Sequence, residues 1–227
     1  MKLESGVGDM KLKAVEKLCK KRGVVYLFDE AVPGISPEEL LEMVTEDMDE
    51  DRGPNHPRQW MGDGCAIYPL DGVPYLDEGG VYAIFDVNDK QRDKLRVSHQ
   101  ESLPEGICFD DVCRGEVALE IVNLKMALGG TDLILLKDAE GHLLTIDAEY
   151  KRPFENWKDC ELFRRVSGGG VPYVAVKSGC ILRGQIWPYK AVDEQFVEVL
   201  GEIYNAAAVR LAASREEQMK IEEDSET

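Results

Sequence analysis

From residue 117 onward the chain divides into short apolar runs, at 117–127, 132–137, 142–150, 161–166, 171–176 and 180–187, each closed by glycine or charged residues. The connections Asp138-Ala139-Glu140-Gly141 and Lys177-Ser178-Gly179 are of hairpin length and leave no room for crossover helices. The pattern predicts an antiparallel meander, laid out as an open sheet or closed into a small barrel.

Other elements surround this sheet. Asp9 is placed to cap a helix through Leu12, Val15, Leu18 and Cys19, and Gly23 stands where a left-handed stop belongs after Lys20, Lys21 and Arg22. Val24 to Phe28, closed by Asp29, is an apolar run of strand length. Ser36, Pro37 and Glu39 form a capping box for a second helix with Leu40, Leu41, Val44 and Met48 on its apolar stripe. Residues 52–80 are rich in Gly-Pro turn signals around a short strand at Ala66 to Tyr68. Val81 to Val87 is expected to be a strand, followed by a polar turn or single helical turn at Asn88 to Arg92. Phe196, Val199, Leu200, Ile203, Ala207 and Leu211 recur at helical spacing, which predicts a long helix over 192–214 covering the sheet.

The fold class is therefore α+β. Four segments are expected: a helix-strand-helix unit at 1–50, a loop-rich β region at 51–116, the sheet and C-terminal helix at 117–215, and an acidic tail at 216–227. Together they are expected to form one compact unit.

Charge narrows the choice of partner. Forty-four acidic residues against 27 Lys and Arg give a formal charge of −17, which repels phosphates and anionic lipid at long range. Direct nucleic-acid and membrane binding are not expected. Residues 1–23 carry seven Lys or Arg against three acids, so a basic arm precedes an acidic body. Glu46, Asp47, Asp49, Glu50 and Asp51 crowd the expected end of the second helix, where the dipole prefers cations. Local stability does not account for those acids, and they are candidate binding residues for a protein with a basic surface. Solubility is the competing explanation.

The six cysteines, at 19, 65, 108, 113, 160 and 180, include no C-x-x-C pair, and the first residues contain no apolar signal region. Reduced thiols in a cytoplasm are the expectation.

Asp132, in Gly130-Thr131-Asp132, is followed after a turn by Asp147-Ala148-Glu149-Tyr150-Lys151. These residues resemble the D-(x)n-E-x-K signature of restriction-endonuclease-like nucleases. That resemblance implies Mg²⁺ held by Asp132 and Glu149, with Lys151 stabilising charge at the attacked phosphate. Period-two alternation would put Asp147, Glu149 and Lys151 on one strand face. The family's crossover helix is missing after it, because residues 155–169 are not amphipathic, and the acidic body weighs against phosphate binding.

His99, Cys108 and Cys113 supply zinc-type ligands without a nearby fourth, and a structural role for them is favoured. No G-x-S-x-G, Walker loop or dinucleotide fingerprint is present, so no catalytic set is complete and no cofactor is expected outside the nuclease alternative. Trp60, between Arg58-Gln59 and Gly62-Asp63-Gly64, is the aromatic residue most open to exposure and a candidate interface anchor, with core packing an equal alternative.

The stretch from Trp60 to Pro74, with Val81 to Val87, Tyr150 to Pro153 and Val174 to Pro188, resembles an uncharacterised family of proteins carried by prophages and mobile elements of gut Firmicutes. The resemblance implies a phage or mobile-element accessory protein, and such genes often encode inhibitors of host defence. The expectation is thus an accessory protein acting by protein–protein binding through acidic surfaces on a defence or nucleic-acid-binding protein. The alternatives are the Mg²⁺-dependent nuclease and a structural phage protein that binds its own kind through the sheet edge.

Overall fold

The computed structural model describes residues 11–30, 58–155, 159–189, 198–199, 201–207 and 209–210. The protein is mixed helix and strand, dominated by one large and mostly antiparallel sheet.

Helix α1 spans Leu12–Arg22 and buries Val15, Leu18 and Cys19. Gly23 ends it at φ 72°, donating its N–H to the Cys19 carbonyl, a left-handed turn that costs glycine little. The expected cap Asp9 lies outside the described residues. β1 (Val24–Asp29) follows at once, burying alternate residues.

The remaining strands are β2 (Gln59–Gly62), β3 (Ala66–Pro69), β4 (Arg96–Gln100), β5 (Val117–Ile121), β6 (Met126–Leu128), β7 (Thr131–Asp138), β8 (Leu143–Asp147), β9 (Cys160–Val166), β10 (Pro172–Ser178) and β11 (Ile181–Ile186). Their order is β4-β1-β2-β3-β11-β10-β9-β5-β7-β6, with β8 on the other edge of β7. Each pairing is antiparallel except β1 with β4. The meander expectation holds for β9, β10 and β11, but β9 turns away from β8 to pair with β5.

The change of direction occurs at Asp147. An uninterrupted run to 150 was expected, yet the strand stops there and a 3-10 helix occupies Ala148–Phe154. Asp147 Oδ1 accepts the Glu149 N–H at 2.9 Å, a local cap that competes with continued ladder pairing. Tyr189 N then donates to Thr145 O at 2.8 Å, so the chain leaving β11 meets β8 although four strands lie between them in the sheet. The sheet curls back on itself.

Val81 to Val87 is also not a strand. Helix α2 spans Glu78–Ile84, and the Asp77 carboxylate accepts the Gly80 N–H at 2.6 Å. Val81 and Phe85, four residues apart, are both buried and lie on one helical face. A single turn follows at Asp89–Arg92 (α3) with a complete Asn88/Gln91 capping box.

One core cluster joins both halves of the chain. It takes Val15 and Leu18 from α1, Leu27 from β1, Val81 from α2 and Phe85 from the cap at its end, and Leu136, Ile146, Val174 and Ile186 from the later strands. Burying each such side chain contributes about 1.5–3 kcal/mol. A smaller cluster gathers Trp60, Ile67, Ala175 and Leu182.

The C-terminal segment is helical at 198–199, 201–207 and 209–210, but a covering role is not supported. Val199, Ile203 and Val209 are 46%, 61% and 70% exposed. The segment meets the β7–β8 hairpin through Gly201, near Leu143, and Tyr204, whose ring lies 4.8 Å from Lys137 Nζ. Phe196, Leu200 and Leu211 lie outside the described residues, as do the capping box at 36–39 and the apolar stripe at 40–48. Among the described residues no helix is long and apolar enough to cross a membrane.

Candidate functional site

Asp132 occupies the second position of β7 and is exposed, paired with Ala127 of β6. Glu149 and Lys151 are not on its neighbouring strand, because both lie in the 3-10 helix. The alternation that would have put Asp147, Glu149 and Lys151 on one face ends at Asp147, a buried cap. The Glu149 carboxylate is engaged by Lys21 and lies 3.7 Å from Arg152 Nη1. The Lys21 bond holds its pKa below the ordinary Glu value, with burial opposing. A carboxylate so engaged is less available to a metal ion.

Trp60 is fully buried rather than exposed. Its Nε1 donates to Glu30 Oε2 at 2.8 Å, Phe109 meets its ring edge-on at 5.0 Å, and the Arg58 guanidinium lies 4.7 Å from its centroid. Strand β2 is buried on both faces, which leaves this indole no route to the surface. The acids Glu46, Asp47, Asp49, Glu50 and Asp51 lie outside the described residues.

The structure does not gather His99 with Cys108 and Cys113. Among the described residues the one group of three or more potential ligands is Asp138, Glu140 and His142. It is a hairpin turn in which Asp138 accepts the backbone N–H groups of Glu140 and His142, both at 2.9 Å. Arg164 Nε sits 3.0 Å from Asp138 Oδ2 and supplies the positive charge there.

Sequence reasoning missed a polar cluster at the carboxyl end of the parallel pair. Asp29 closes β1 and is buried. Its Oδ1 accepts from Gln59 Nε2 at 3.1 Å, and its Oδ2 accepts from the Tyr75 hydroxyl at 2.8 Å and lies 2.9 Å from His99 Nε2. Gln59 is fixed in turn by the Leu76 N–H and C=O, at 2.8 and 2.9 Å. Burial raises the Asp29 pKa, but the His99, Tyr75 and Gln59 hydrogen bonds outweigh it and hold the carboxyl below its usual value. The bond to Asp29 raises His99 against the opposing effect of burial. An oriented, half-exposed imidazole backed by a buried carboxylate can hold or release a proton near neutral pH. In the sequence Asp29, Gln59, Tyr75 and His99 are spread over 71 positions, and no spacing rule connects them.

A different surface is formed by the C-terminal segment. Val199 and Ile203, four residues apart, are exposed beside Glu198 and Glu202, which are also exposed. Such a row, apolar with an acidic border, suits a groove of opposite charge.

No family model, no curated protein and no solved structure matches this chain.

Proposed function

We propose that the protein is an accessory binding factor of phage or mobile-element type whose C-terminal helical segment docks on a partner protein with a basic, apolar-floored surface. The carrying observation is the exposed row of Val199 and Ile203 bordered by Glu198 and Glu202, on a chain of net charge −17. Exposed aliphatic side chains four residues apart are the usual anchors of helix-in-groove recognition. The surrounding acids steer encounter with a basic partner and set salt dependence. A nucleic-acid-binding protein, including a host defence protein, presents such a basic groove, and occupying it would inhibit that protein.

The test begins with capture of the partner from the native host, followed by calorimetry on the two purified proteins. Affinity is expected to fall at least tenfold in Val199→Glu/Ile203→Glu and to fall as salt rises. Unchanged affinity in the correctly folded double variant would exclude this surface. Sedimentation of the protein alone covers the case in which the row pairs with a second copy.

A further inference from the structure

We infer that Cys108 and Cys113 form a dithiol site that exchanges with small disulfides and closes into a disulfide across the loop before β5. The site is independent of the helical docking surface. The Cys113 thiol is hydrogen-bonded to the side chain of Cys108, and both residues are part-buried, within reach of a small reagent. Other partners are more distant than a strong hydrogen bond: Cys108 Sγ lies 3.9 Å from Asp110 Oδ2, and Cys113 Sγ lies 4.0 Å from Arg114 O.

The chain doubles back between the two thiols because it is wound on a buried guanidinium. Arg165 Nη1 donates to the carbonyls of Cys108 and Asp110, at 3.0 and 2.9 Å, and Nη2 donates to the carbonyl of Asp111 at 3.2 Å. Residues 110–112 form the bend. The chain then returns to the same cation at Glu116, whose N–H donates to Cys113 O at 3.2 Å and whose Oε2 accepts from Arg165. The far side of the loop is anchored as well, since Leu182 N–H donates to Asp111 Oδ1 at 2.7 Å and Phe109 packs edge-on against Trp60. A pair of thiols held together on a fixed loop presents each sulfur to the other at high effective concentration. That favours one internal disulfide over two separate mixed ones.

The two sulfurs divide the chemistry. Burial and the bond to Cys108 push the Cys113 thiol up to about 11, although Arg165 pulls the other way. Cys113 therefore keeps its proton at neutral pH, and Cys108 is the attacking thiol. Cys108 gives up its proton and attacks one sulfur of a disulfide RSSR, whose S–S bond breaks to release the first RSH. Cys113 then loses its proton, attacks the Cys108 sulfur of the mixed disulfide and displaces the second RSH. The protein is oxidised by two electrons, and RSSR is reduced to two RSH. The product is a covalent ring in the loop that packs on Trp60.

The experiment equilibrates the full chain in glutathione buffers of rising disulfide fraction, alkylates the remaining thiols with iodoacetamide and reads each cysteine by peptide mass spectrometry. Cys108 and Cys113 are expected to lose alkylation together, in a monomer lighter by two hydrogens. The exposed Cys180 is expected to carry glutathione instead. Repeating the titration in denaturant isolates the contribution of the fold, because thiols this close in sequence also pair in an unfolded chain. The effective concentration of the pair is expected to be at least about tenfold higher in the folded chain. Cys113→Ser should leave Cys108 as a mixed disulfide with glutathione. If that variant fails to fold, phenylarsine oxide tests the native chain: its arsenic should bridge Cys108 and Cys113, release one water and protect both from iodoacetamide. Separate glutathione adducts on the two residues, equal pairing in the folded and unfolded chains, or a dominant disulfide between other cysteines would overturn the proposal.

Discussion

Arg165 is completely buried, and five hydrogen bonds leave its guanidinium. Two go to Glu116 Oε2, at 2.9 and 2.7 Å, and three to the carbonyls of Cys108, Asp110 and Asp111. Lys177 Nζ reaches the other Glu116 oxygen at 2.8 Å. The loop before β5 is thus wrapped round a single cation. Arg165→Met would leave Glu116 and three carbonyls short of donors, and a loss of about 3–5 kcal/mol is expected in denaturant unfolding. Burial raises the Glu116 pKa, but Lys177 and Arg165 more than offset it and leave it below the ordinary value. Its stabilisation is therefore present above the unfolded Glu pKa and lost as pH falls through the lowered folded value. His99 has the opposite sign. Its raised pKa gives stability that is fully present below the ordinary His pKa and lost as pH rises through the folded value. Unfolding midpoints measured across neutral pH should slope downward in the native protein, and His99→Gln should flatten that slope.

Among the elements, the C-terminal helical segment separates two roles through one measurement. If Val199 and Ile203 covered the sheet, a charge at either would cost several kcal/mol. Because both are exposed, Val199→Glu and Ile203→Glu should each change unfolding free energy by less than about 0.5 kcal/mol. The junction of the 3-10 helix and β11 responds in the opposite way. A methyl group on Gly184 would sit 2.6 Å from Phe154 Cζ, so Gly184→Ala is expected to cost about 1–3 kcal/mol. These elements were unequally legible in the sequence. Gly23 and the apolar run of Val24 to Phe28 disclosed α1 and β1 because their causes are local. Val81 to Val87 misled because its β-branched and aromatic residues match a strand composition, while the deciding features were the Asp77 cap and the burial of Val81 with Phe85. Asp147 ended β8 by capping its own following turn, which no apolar count detects. The Asp29 cluster was illegible for another reason, since its members meet through β1–β2 and β1–β4 pairings chosen by the whole sheet.

For the whole molecule, acidity and topology act together. The net charge of −17 favours fast, salt-sensitive association with basic partners, and the on-rate is the quantity expected to fall most steeply as ionic strength rises. Within the sheet, β9, β10 and β11 are joined by short turns, whereas β1 and β4 pair across 71 residues. Contacts of long sequence separation form late and open early, so amide exchange should be faster in β4 than in β10.

The register of β1 against β2 has a practical meaning of its own. Asp29 and Gln59 face each other on one rung, and Glu30 N donates to Arg58 O at 2.9 Å. The chain therefore departs from and returns to a single point on the sheet. A change that breaks this rung, such as Gln59→Leu, is therefore expected to loosen the end of β1 and the start of β2 together, and to release one of the three side chains that hold the Asp29 carboxylate.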